Sequence, residues 1–173
     1  MLPIRGLSCA PNGRMSSETK RIEVTLETLT DSVALAEEIA MRIAGAAGFS
    51  EDDSHKISMS VREGMINAVQ YGNGQERDKK IILTFELTPE KLVIHVLDQG
   101  PGFNLADVPD PLAEENLLKT SGRGLFLMRA FMDEFHVLRG REGGAEVVMA
   151  KRYPASRNWD TGDSPGSARR NNP

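Results

Sequence analysis

The chain has 173 residues, with 21 Lys and Arg against 25 Asp and Glu and a formal net charge of −4. This length suits one compact domain, and the mild acidity without a basic block argues against nucleic acid or an anionic membrane as a partner. The single cysteine, Cys9, excludes an intramolecular disulfide and is typical of the cytoplasm, and no apolar run approaches the roughly 20 residues that span a bilayer.

The two ends of the chain differ in composition from the middle. Residues 1–18 and 154–173 mix Pro, Gly, Ser and Asn without hydrophobic periodicity, a composition too polar to bury a core. We expect both to be disordered tails around a single domain at 19–153.

The first half of that domain predicts a strand followed by two helices. Apolar and polar residues alternate over Lys20–Glu27, which predicts the strand. Thr30 is the predicted N-cap of the first helix and Ser50 that of the second, because acidic residues follow each of them. The predicted core-facing positions are Val33, Leu35, Ala36, Ile39, Ala40, Ile43 and Ala44 in the first helix, and Ile57, Val61, Met65 and Ala68 in the second.

The second half predicts four strands, one helix and a long loop. The predicted order is strand 80–87, strand 91–97, loop 99–120, helix 122–134, strand 135–139 and strand 145–153. In the helix, Leu125, Phe126 and Met128 are expected to face the core. The whole order predicts an α/β (α+β) two-layer sandwich, with one helical layer over a mostly antiparallel mixed sheet.

The first candidate site motif is a carboxylate and an amide on the second helix, Glu63 and Asn67. Residues four apart share one helical face, so both side chains can point into a common cleft. A carboxylate there can accept a proton from an attacking hydroxyl, and an amide oxygen can ligate Mg²⁺ beside substrate phosphates. Taken alone, such a pair is more often an ordinary solvated helix face.

The second motif directly follows a predicted strand and consists of Asp98, Gly100 and Gly102. A carboxylate at a strand end can accept a hydrogen bond from an exocyclic amine such as that of adenine. The glycines permit backbone conformations and a close ligand approach that bulkier residues forbid. The long loop that follows is typical of a lid, because structureless loops beyond roughly 12–15 residues are often functional.

The third motif opens the last predicted helix, with Ser121, Gly122, Arg123, Gly124 and Leu125 in succession. Backbone N–H groups at a glycine-rich helix start form an anion site that the helix dipole favours. Arg123 can add a charge-assisted contact to a phosphate. A lone glycine turn often does no more than start a helix, but the three motifs in this order supply a base, a metal ligand, a base-recognition group, a lid and a phosphate cradle.

These motifs resemble those of the GHKL ATPase superfamily with its Bergerat fold, and most closely the anti-sigma-factor serine kinases of bacterial partner-switching pathways. Residues 63–68 match the N box, 98–102 the first glycine box and 121–125 the second. The similarity extends from about residue 20 to residue 153. No Walker-type phosphate loop is present in the sequence.

The resemblance assigns a role to each matched position. It implies that Glu63 is the general base, that Asn67 is the Mg²⁺ ligand and that Asp98 recognises the adenine of ATP. It places the lid at about 104–120. The remaining nucleotide contacts implied are Gly100, Gly102, Ser121, Gly122, Arg123, Gly124 and Leu125.

The resemblance also implies partners. Kinases of this type phosphorylate a serine or threonine of a STAS-domain antagonist, or bind a sigma factor, commonly as homodimers. Tyr71 stands where many relatives carry His, and Asn104 where an acidic residue is common. Two other functions remain open: a nucleotide-dependent binding module with little kinase activity, and a detached histidine-kinase ATPase domain.

Overall fold

The computed structural model describes residues 19–102, 120–140 and 143–154, and of residues 120–123 the backbone alone. Its elements are β1 (Lys20–Glu27), α1 (Thr30–Ala46), α2 (Glu51–Asn67), β2 (Lys80–Leu87), β3 (Lys91–Leu97), α3 (Thr120–Phe131), β4 (Glu134–Arg139) and β5 (Ala145–Arg152). A single π-helical turn, Ala68–Gly72, continues α2 and is called the π-turn below. Apart from Pro154, the predicted tails lie outside the described residues, as do residues 104–119 of the predicted lid.

The strands form one five-stranded sheet in the order β1-β2-β3-β5-β4. Every pairing in it is antiparallel, so the described strands include no parallel pair and the sheet is not mixed. Phe85, Ile94 and Met149 align across three neighbouring strands and are fully buried beneath the helices. The predicted two-layer α+β sandwich is confirmed.

The helical layer has α2 at its centre, in contact with α1 on one side and α3 on the other. Ala36, Ala40 and Ala44 recur every fourth residue on α1 and have no exposed surface, so small side chains allow α1 to approach its neighbours closely. On α2, Gly64 serves the same purpose, because a Cβ at this position would be 3.3 Å from Val96 on β3. Small residues on both helices therefore place α2 directly over the centre of the sheet.

Two predictions for the first helix are wrong. Leu29, with an extended backbone and no capping side chain, occupies the N-cap position, and Thr30 is the first helical residue. Leu35 is 52% exposed, because the alanines of the stripe supply the contact with α2. The prediction for Ser50 is confirmed, since its hydroxyl accepts a hydrogen bond from the Asp53 N–H at 3.1 Å.

The last helix begins and ends earlier than its sequence pattern predicts. Thr120, assigned to the lid, is its first residue, and the helix ends at Phe131, whose carbonyl accepts a hydrogen bond from Lys151 Nζ at 2.8 Å. Glu134 belongs to β4, because it pairs with Ala150 across the sheet. Phe126 is 44% exposed, which corrects its predicted core position.

Leu125 and Met128 of α3 are buried as predicted. None of the helices in the described ranges is both long enough and apolar enough to cross a bilayer.

Candidate active site

Asp98 lies at the end of β3 and is 5% exposed. Its backbone N–H donates to the Ala145 carbonyl, which continues the sheet ladder by one residue. Its side-chain Oδ1 accepts hydrogen bonds from the N–H groups of Gly100, at 2.9 Å, and Ala145, at 3.0 Å. Within the described ranges no hydrogen bond engages Oδ2. The carboxylate is therefore fixed by one oxygen and offers the other to a ligand.

Three glycines enclose this carboxylate. A Cβ on Gly72, at the end of the π-turn, would overlap Asp98 Oδ2, and a Cβ on Gly100 would overlap the carbonyl of Gly72. A Cβ on Gly144, which has a φ of +75°, would overlap the carbonyl of Asp98. Backbone thus packs directly against backbone and against the Asp98 carboxylate, at positions where only glycine fits.

Gly102, the last described residue before the predicted lid, also packs closely against Gly144. Its φ is +75°, which favours glycine, and a Cβ here would be 2.7 Å from the Gly144 carbonyl oxygen. The structure therefore brings Gly100 of the predicted pocket to Asp98, and Gly102 to Gly144, which itself contacts Asp98.

Glu63 and Asn67 lie half-buried on the last two turns of α2. Glu63 Oε2 faces α3 so closely that a Cβ on Gly124 would be 2.6 Å from it. No hydrogen bond or ion pair among the described residues engages either the Glu63 carboxylate or the Asn67 amide. Neither group therefore has a partner among the described residues that would compete with a ligand.

The glycine-rich motif forms the first turns of α3. Its predicted members Ser121, Gly122, Arg123 and Gly124 have helical backbone there, and the first N–H groups of a helix have no intrahelical acceptor. This end of α3 is therefore suited to bind an anion such as a phosphate. The side chain of Leu125 is buried in the core, so only its backbone is left for a ligand.

Four residues of the site were not predicted: Gly72, Asn73, Gln99 and Gly144. The sequence around Gly72 and Asn73 is typical of an ordinary helix end, and two consecutive glycines before a strand are typical of a hairpin turn. Their contacts with the Asp98 segment join positions far apart in the chain. A local pattern carries no signal for such contacts.

The donors and acceptors of the site fit an adenine nucleotide with a divalent cation. Asp98 Oδ2 is an anionic acceptor without a hydrogen bond from the described residues, as an exocyclic amine requires. Asn67 supplies an amide oxygen of the kind that Mg²⁺ accepts, and α3 supplies N–H groups for phosphates.

Comparison with known proteins assigns the chain to a family. The model of the histidine kinase-like ATPase domain matches residues 26–151. The chain belongs to this family. It is similar to the serine-protein kinase RsbW of Bacillus licheniformis, with 32% identity over 63% of this chain and 71% of the relative. It is also similar to RsbW of Listeria innocua, with 26% identity over 79% of this chain and 90% of the relative.

Among solved structures, the chain resembles the crystal structure of the RsbU and RsbW domains of a Mycobacterium tuberculosis protein. The TM-score is 0.55 at 17% identity, and the match covers 79% of this chain. The matched region is about a third of that protein, 34%, and it supports the fold alone. Together the comparisons confirm three predictions: the GHKL family of the anti-sigma-factor kinase type, the fold class, and a serine kinase as the enzyme class.

Proposed function

We propose that this protein is an anti-sigma factor that transfers the γ-phosphoryl group of Mg-ATP to a serine or threonine of a STAS-domain antagonist. One observation carries the proposal: the end of α2 contacts α3 through Glu63 and Asp98 through Gly72, with Asn67 between the two contacts. Glu63 and Gly72 are nine residues apart, a helical rise of about 13 Å. This span is on the scale of an extended nucleoside triphosphate, with adenine at Asp98 and phosphates at α3.

The proposed chemistry needs one proton acceptor. Glu63 accepts the proton of the target hydroxyl while that oxygen forms a bond to the γ-phosphorus, and the bond from the γ-phosphorus to the bridging oxygen breaks to release ADP. Asn67 would hold Mg²⁺, which supplies charge neutralisation to the phosphates when it is bound. The α3 N-terminus would orient the phosphates.

The partners in this proposal rest on the family. Relatives named serine-protein kinase RsbW support a serine target, and the resemblance to partner-switching kinases supports a STAS-domain antagonist, a sigma factor and a homodimer. Because ATP is the phosphoryl donor, the proposal places the activity in the cytoplasm.

The direct test incubates the purified protein with Mg-ATP and a STAS-domain protein from the same genome. Mass spectrometry should show a single phosphate on one serine or threonine of that partner, and EDTA should abolish the transfer. Stable complex formation and ATP binding without any phosphate on the partner would overturn the kinase. That outcome would instead identify the nucleotide-dependent binding module.

Replacement of Gly124 separates the role of Glu63 from the stability of the fold. In Gly124→Ala the new methyl group displaces the Glu63 carboxylate, the flexible end of its side chain. Alanine also favours a helix over glycine by about 0.5–1 kcal/mol. We therefore expect an unchanged or higher melting temperature together with phosphoryl transfer lowered about tenfold or more, the effect of a misplaced catalytic group.

Transfer rate and thermal unfolding are measured on the same preparation. A variant that is both more stable and fully active would contradict the placement of Glu63 at the reacting group.

A further inference from the structure

Asn73 follows the π-turn and has no exposed surface, although its side chain is polar. Its Nδ2 donates hydrogen bonds to Thr28 Oγ1 at 2.7 Å and to the Lys80 carbonyl at 3.1 Å. Its Oδ1 accepts a hydrogen bond from the backbone N–H of Gln99 at 2.7 Å. The side-chain amide is therefore bonded at both ends, and it ties the end of α2 to the start of β2 and to the residue after Asp98.

The bond to Gln99 acts on Asp98. The Gln99 N–H belongs to the peptide group whose carbonyl is that of Asp98, so Asn73 fixes the plane of that peptide. Asp98 Oδ1 is fixed separately by two backbone N–H groups. With the peptide plane and one oxygen both fixed, the direction of Oδ2 is determined.

Asn73 also positions the backbone that Oδ2 faces, which is that of Gly72. Gly72 precedes it in the chain and lies in close contact with Oδ2. The Asn73 N–H donates to the Ala68 carbonyl, which closes the π-turn behind Gly72. Asn73 thus holds both partners of this contact, the Asp98 carboxylate through Gln99 and the Gly72 backbone through the π-turn.

We propose that Asn73 is a positioning residue that sets the preference of this site for adenine by holding Asp98 Oδ2 and the Gly72 backbone at fixed positions relative to each other. The inference rests on the proposed function, because it takes ATP as the nucleotide. It adds a residue outside the three motifs, and one that touches no part of the nucleotide itself.

A purely structural role for Asn73 predicts a different result. Under either role, removal of this buried amide lowers the stability of the protein, because Thr28, Lys80 and Gln99 each lose a hydrogen-bond partner. Stability alone therefore does not distinguish the two roles. Nucleotide preference does, because ITP carries a keto oxygen, an acceptor, where adenine carries the exocyclic amine that would donate to Asp98 Oδ2.

The test compares ATP and ITP binding by the full chain, the Asn73→Ala variant and the Thr28→Val variant. Thr28→Val is the matched control, because it removes one of the two acceptors of Nδ2 but leaves the hydrogen bond from the Gln99 N–H to Asn73 Oδ1. Asn73→Ser is a second variant, in case the alanine variant unfolds. Gln99 Oε1 also accepts a hydrogen bond from the Lys80 N–H at 2.6 Å, a second connection that helps the variants to fold.

We expect the unmodified protein to prefer ATP over ITP by about tenfold or more, since the ligand lacking a hydrogen bond leaves a buried acceptor unpaired. In the Asn73 variants this ratio should fall to near one, mainly through weaker ATP binding, whereas Thr28→Val should keep it. A folded Asn73 variant with the unmodified ratio would overturn the inference. Absence of saturable ATP binding by the unmodified protein would instead overturn the proposed function.

Discussion

Glu63→Gln is expected to lower phosphoryl transfer to the target hydroxyl by about 100- to 10,000-fold, the contribution of a positioned general base. The amide has nearly the same size and fits against Gly124 as the carboxylate does, but it accepts no proton at neutral pH. ATP affinity should stay within about threefold, because Asp98 and the α3 N-terminus hold the nucleotide in this proposal. The change therefore separates chemistry from binding.

The measurement pairs single-turnover transfer with nucleotide titration. Glu38→Gln is the matched control, because Glu38 is an exposed carboxylate on α1 whose one ion pair within the described part of the chain is with Arg42. Exposed pairs of this kind contribute little to stability, so the control should transfer at the unmodified rate. If Glu63→Gln kept full transfer, Glu63 would not be the proton acceptor.

Gly72→Ala is expected to weaken ATP binding by about 10- to 100-fold, the loss of one hydrogen bond to a charged group. Alanine suits the helical backbone of the π-turn, and φ at Gly72 is not positive, so no backbone strain opposes it. Its methyl group would instead overlap the Asp98 side chain and displace Oδ2 from its observed position. The loss should appear for ATP and be much smaller for ITP.

Gly45→Ala is the control for this second change. Gly45 is also helical, near the end of α1, and within the described residues a Cβ there would meet no atom outside its own helix within 4 Å. We expect it to raise the free energy of unfolding by about 0.5–1 kcal/mol and to leave ATP binding unchanged. ATP affinity is measured by calorimetry. Unchanged affinity in Gly72→Ala would contradict the role of the close contact between Gly72 and Asp98 Oδ2 in ATP binding.

Local patterns were sufficient for most of the secondary structure. The alternation over Lys20–Glu27 and the two strands that meet at Thr88-Pro89-Glu90 agree with the observed bounds. Patterns failed where tertiary contacts decided the outcome. Leu35 has the right spacing for the core, but the alanines of α1 fill the contact with α2. Glu134 continues a helical pattern, but pairing with β5 takes it into the sheet.

The sequence by itself determined the family, the order of the elements and the three motifs, because each motif is a short run in which spacing implies a shared face or a turn. Which of these groups meet is a property of the tertiary structure. The contact between Gly72 and Asp98, the approach of Gly144 to Asp98 and the bonds of Asn73 to Thr28 and Gln99 join segments separated by 26 to 46 residues. Such contacts form only when the sheet pairs and α2 packs on it, so no local pattern reveals them.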